Sequence, residues 1–121
     1  MTPSDFLAIV KAQVRDRAVA DCLRGFAAAP SLCRDEQAEL AGWFQSQSEA
    51  DRRRVDLVVR DAADRAVYLF LQLLNAKGFL SGAQFDLSEV TSEGRVRLNP
   101  PDAESLDDLY DATYWVWEKE A

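Results

Sequence analysis

Apolar residues recur at Leu7, Val10, Val14, Ala18 and Cys22, steps of three or four that line one face of a helix. Thr2 stands as its N-cap, Pro3 at the first helical position and Asp5 at the third, and Gly25 with the run Ala27 to Pro30 ends it. A shorter helix is predicted from about Arg34 to Gln45, burying Leu40, Trp43 and Phe44. Ser48-Glu49-Ala50-Asp51 is the next cap signature. It opens the longest helix, which runs to about Asn75, with Gly78 soon after its end. The first half of that helix is amphipathic through Val55, Val59 and Ala62. Its second half, Ala66 to Leu71, is apolar nearly all round, which predicts a central place in the core.

Beyond Gly78 the period changes. Phe85-Asp86-Leu87-Ser88 alternates at period two, Thr91 to Gly94 has turn composition, and Arg95-Val96-Arg97-Leu98 alternates again, a β-hairpin pattern. Asn99-Pro100-Pro101 ends the strand and launches a last helix. The expected fold is α+β: three helices, a hairpin and a C-terminal helix, in a single domain over residues 1–121.

Composition narrows the class. A chain of 121 residues, 48% hydrophobic and 29% charged, can bury one core without staples. The opening Met-Thr-Pro-Ser-Asp lacks the pattern of a secretory signal, and the apolar run from Ala66 to Leu74 is far shorter than a bilayer span. A cytoplasmic protein without membrane association is therefore expected. Cys22 and Cys33 form no C-x-x-C, and the chain has no histidine, so both are read as reduced structural thiols, Cys22 packed on the apolar side of the first helix. Arg52-Arg53-Arg54 lies among acids at i,i+4: Glu49 with Arg53, Arg52 with Asp56, Asp56 with Arg60, Arg60 with Asp64, Asp61 with Arg65. That describes a salt-laced exposed face. With a net charge of −7, direct nucleic-acid binding is not expected.

The charge is concentrated at one end. Between Asn99 and Ala121 stand seven carboxylates against Lys119 alone, together with two of the three tryptophans. On a helical wheel Leu106, Leu109, Tyr110, Thr113, Val116 and Trp117 share one arc, which predicts core. The opposite arc carries Glu104, Asp107, Asp108, Asp111 and Glu118, with Tyr114 and Trp115 among them. This is the candidate partner-binding face, since carboxylates select a basic surface and aromatics supply buried contact. Asp107-Asp108-Leu109-Tyr110-Asp111 spells the D-D-x-x-D order that holds magnesium in prenyl synthases, but the second acidic site and longer bundle of such enzymes are missing. Without histidine, Ser-His and Cys-His dyads are excluded. No G-x-S-x-G elbow or glycine-rich phosphate loop occurs either. No catalytic residue, cofactor or metal is expected.

The order Ala66-Val67-x-x-Phe70-Leu71-x-x-Leu74-Asn75, the hairpin, Leu98-Asn99-Pro100 and Leu106-Asp107-Asp108-Leu109-Tyr110 resembles a pattern in small bacterial α+β proteins of the immunity or inhibitor kind, which bacteria pair with toxins. The resemblance implies a binding protein of that kind; taken with the acidic, aromatic C-terminal face, the expected function is that of a cytoplasmic protein that blocks a basic partner, toxin-like or nuclease-like, through that helix. Three alternatives stand beside it: a mimic of nucleic-acid phosphate that occupies a nuclease or defence complex, a homodimeric or structural protein closing on Tyr114 and Trp115, and a small enzyme working with carboxylates.

Overall fold

The structure is a computed structural model and describes residues 1–75 and 84–115. Its elements are α1 (Pro3–Val10), a π-helical turn (Lys11–Arg15), α2 (Asp16–Ala27), a short 3-10 turn (Pro30–Leu32), α3 (Asp35–Gln45), α4 (Glu49–Leu74), strands β1 (Ser88–Thr91) and β2 (Gly94–Arg97), and α5 (Leu106–Thr113). The chain is mostly helical, with one antiparallel hairpin and a C-terminal helix, an α+β fold. No helix among the described residues is long and apolar enough to cross a membrane.

The helix starts follow their local chemistry. Thr2 and Asp5 form a reciprocal capping box, and the Ser48 hydroxyl accepts from the Asp51 N–H at 3.1 Å. The first expected helix, however, is interrupted. The Asp16 N–H reaches back five residues to the Lys11 carbonyl, so the turn holds one residue more than regular helix. That extra residue rotates everything after it by about 100° relative to an uninterrupted helix. Leu7 is buried as expected, but Val14, Ala18 and Cys22 face solvent, and Arg15 and Val19 take the inward positions. Cys22 is therefore an exposed thiol, not a packed one.

Leu7 of α1, Val67 and Leu71 of α4, and Leu106 and Tyr110 of α5 form the core cluster, each large side chain worth roughly 1.5–3 kcal/mol on burial. α3 follows a different plan from the expected one. Ala41 is the residue it buries, Phe44 lies half-buried with its ring 5.3 Å from Phe26, and Leu40 and Trp43 are exposed. α3 packs chiefly on α2, and the Gln45 amide donates to the Phe26 and Ala28 carbonyls at the end of α2. A helix covered on one side only needs a narrow apolar stripe, which leaves its other large side chains open.

The hairpin is shifted along the chain. β1 begins at Ser88, three residues later than the alternation suggests, and Thr91 pairs with Gly94 across the turn. Gly94 has φ +134, a conformation that favours glycine. Asn99 explains the shift: its Oδ1 accepts from the Leu87 N–H and Arg97 Nε, while its Nδ2 donates to the Leu74 and Phe85 carbonyls, both at 2.8 Å. One buried amide thus takes backbone groups that a longer β1 would have paired, and it fastens the hairpin to the end of α4. At that end Asn75 Oδ1 accepts from the Leu106 N–H at 3.3 Å, linking the close of α4 to the start of α5. Asn99→Ala removes four hydrogen bonds, among them the amide donor to the Leu74 carbonyl and the acceptor of the Leu87 N–H. We expect it to lower stability by about 3 kcal/mol, read as a fall in the urea midpoint at unchanged slope.

Candidate functional site

Asp64, Val67 and Leu71 stand on one stripe of α4, at steps of three and four, and all three are buried. A carboxylate on such a stripe requires partners, because burying an unpaired charge is prohibitive. Asp64 is 1% exposed and finds them across the fold. Arg15 Nε donates to Oδ1 and Arg15 Nη2 to Oδ2, each at 3.0 Å, and the Tyr110 hydroxyl donates to Oδ1 at 2.6 Å. The fork of the guanidinium matches the two carboxylate oxygens. Arg15 Nη1 also donates to Asp16 Oδ1 at 2.9 Å, and Lys11 Nζ to Asp16 Oδ2 at 2.8 Å. Asp64 therefore pairs with Arg15 and not with Arg60, which takes Asp56 at 2.8 Å. Asp56 with Arg60 and Asp61 with Arg65 do form at i,i+4, and Arg54 takes Asp51.

The electrostatics follow from this geometry. Burial works against a charged Arg15, but the hydrogen bonds it donates to Asp64 and Asp16 outweigh it and hold the guanidinium charged beyond its ordinary range. Burial, then the Asp64 acceptor, push the Tyr110 hydroxyl well above the usual tyrosine value. Asp16 is opposed by burial but lowered on balance by Lys11 and Arg15. Each polar group is taken by another member of the set, so the arrangement is a clamp across the π turn, α4 and α5. It was legible in one sign only, an acid on the buried stripe of α4.

The predicted binding face is divided by the structure. Glu104, Asp108 and Asp111 are exposed, but Asp107 is buried in the first turn of α5. Its burial corrects the wheel, which counted it with the exposed acids. α5 is short and lies against both α1 and α4, so its covered arc is wider than a single stripe, and a carboxylate in a first turn suits the positive helix end. Asp107 and Asp111 consequently do not share an open face, and the D-D-x-x-D order gathers no cation site. Among the described residues no group of three or more metal-ligating side chains converges.

Tyr114 and Trp115 also leave the predicted face. α5 ends at Thr113, and the Tyr114 and Trp115 N–H groups both turn back to the Tyr110 carbonyl. The Trp115 ring lies 5.4 Å from Tyr68 with the Arg65 guanidinium 5.2 Å above it, and Tyr114 lies 5.7 Å from Tyr110 with Lys11 Nζ at 6.0 Å. Both are half-buried against their own chain. Val116, Trp117 and Glu118, the remaining members of the predicted helix, lie outside the described residues, as does Gly78.

A surface the pattern did not single out is a groove between α1 and α4. It encloses roughly 380 Å³ and is lined by Phe6, Ile9, Val10, Val14, Ala66, Val67, Phe70 and Leu71, without one polar side chain. Phe70 and Leu69 are each 57% exposed, and Ile9, Val14 and Leu73 are exposed as well. The all-apolar half of α4 is therefore covered on one side by the core and open on the other. Its signal in the sequence is the run Ala66 to Leu71, whose nearly all-round apolarity predicts a central place in the core, whereas Ala66, Leu69 and Phe70 are exposed.

The fold and site thus define a small α+β chain with a buried ionic clamp and an open apolar groove. Comparison with protein-family models, with curated proteins and with solved structures finds no match.

Asp64→Ala strips the partly buried Arg15 of its bidentate partner, leaving it Asp16, and is expected to cost about 3 kcal/mol in chemical denaturation. Tyr110→Phe removes a hydrogen bond to a charged acceptor, about 1.5–3 kcal/mol. The same variant has a pH signature. Because the folded state keeps the Tyr110 proton above the ordinary tyrosine value of 10.0, wild-type stability is full below that value and falls as pH rises through it. Melting curves from pH ~8 to ~11 should show wild type losing its advantage over Tyr110→Phe at the alkaline end.

Proposed function

We propose that this chain is a non-catalytic, inhibitor-type binding protein that seats an apolar helix of a basic protein partner in the groove between α1 and α4. The groove carries this reading. Its walls are two helices with apolar side chains facing each other, the shape that receives an amphipathic helix, and its volume is within the range of ordinary binding sites. Exposed apolar surface of this continuity marks an interaction site in a protein otherwise rich in charge. The partner's sign follows from a net charge of −7 and from the open carboxylates Glu104, Asp108 and Asp111 on α5. They act at a distance, raising the encounter rate of a basic chain and rejecting an acidic one. Contact energy comes from the groove, not from Tyr114 and Trp115. With those two rings spent inside the chain, a symmetric interface built on them loses its support.

The test uses a synthetic amphipathic helix with leucines on one face and lysines on the other. Phe70 is already open, so Phe70→Glu should change stability by about 0.5 kcal/mol or less while weakening the peptide's Kd at least about tenfold. Replacing Glu104, Asp108 and Asp111 together by Gln or Asn should mainly slow association and flatten its salt dependence. Unchanged affinity in Phe70→Glu refutes the groove as the binding surface.

A further inference from the structure

Two rows of side chains run side by side from the π turn into α2. Val14, Ala18 and Cys22 form one; Arg15, Val19, Leu23 and Phe26, one residue on, form the other. The second row faces inward: Arg15 meets Asp64, Val19 is buried, and Phe26 lies against Phe44. The first row faces outward, and its leading member Val14 lines the groove. An uninterrupted α-helix continued from Leu7 would reverse the assignment, because Val14 lies seven residues on, two turns along the same face. This sequence therefore satisfies two helical registers, and the i→i+5 bonding of the π turn, with the Asp16 N–H on the Lys11 carbonyl at its end, separates them.

We propose that the π turn is a register switch for the groove. This inference rests on the groove being the binding surface. In the π register Val14 stands in the groove wall, and the Arg15 to Asp64 pair, seconded by the Tyr110 hydroxyl, is the latch that holds it there. When the turn relaxes to regular helix, α2 rotates by about 100°, Val14 leaves the wall for the side facing α4, Ala18 and Cys22 follow it inward, and Arg15 moves to solvent. An occupant that touches Val14 binds only the π register, so occupancy and register are linked: filling the groove locks the turn, and releasing the latch empties the groove. π turns recur at functional positions.

Cys22 reports the register without any partner. In a Cys33→Ser background, an aromatic disulfide reagent should modify the exposed Cys22 rapidly in the otherwise native chain. Asp64→Leu removes the anchor for Arg15 and favours an apolar residue opposite, so the chain should slip. Cys22 should then react at least about tenfold more slowly while circular dichroism keeps its helical signal. Arg15→Leu combined with Asp64→Leu restores an inward apolar pair in the π register and should return Cys22 to the native rate. Should Asp64→Leu lose its helical signal, Asp64→Asn takes its place, with partial protection expected. A folded Asp64→Leu, or failing that Asp64→Asn, whose Cys22 reacts as fast as in the native chain overturns the switch. The assay contains no groove ligand, so its failure is distinct from the failure of Phe70→Glu to weaken peptide binding.

Discussion

The Asp64 carboxylate, buried on the stripe of α4 that also buries Val67 and Leu71, is the constraint on which the rest of the structure depends. It cannot stay there alone, and it draws Arg15 from one end of the chain and Tyr110 from the other to the same point. Three segments distant in sequence are thereby placed relative to one another. A buried ion pair of this kind adds little net stability compared with apolar side chains of the same volume, because desolvation offsets most of its attraction. Its effect is on geometry: alternatives that separate the three groups leave a bare charge inside the fold. The π turn is a direct consequence. A regular helix with Leu7 inward points Val14 inward too, and one added residue is what brings Arg15 to the acid.

The same adjustment creates the outward surface. Turning Arg15 in turns Val14 out, where with Ile9, Phe70 and Ala66 it bounds an apolar groove. The clamp and the groove are thus two sides of one helix register, which is why a change at the clamp is read at the groove. The aromatic residues of the C-terminal segment have the opposite fate. Tyr114 and Trp115 stack within the chain under Lys11 and Arg65, closing the end of α5 and leaving its exposed acids to act through their field. Contact and steering fall on different faces, an arrangement in which affinity and encounter rate respond to different substitutions.

Elements governed by neighbouring residues were legible in the sequence. The capping box at Thr2 and Asp5, the Ser48 cap, the length of α4, the turn at Thr91 to Gly94 and the α+β order all depend on chemistry within a few positions, and periodicity registers such chemistry. The core leucines Leu7, Leu71 and Leu106 were legible for the same reason. Tertiary packing decided what periodicity cannot express. No local signal distinguishes the inward row of α2 from its neighbour, because the choice is made by an acid 49 residues away from Arg15. Asp107 is buried because a short helix is enclosed by both α1 and α4, whereas Leu40, Trp43 and Phe70 are open because their helices are covered on one side only. A one-dimensional pattern states which residues can be buried; which of them are depends on what the fold brings against them.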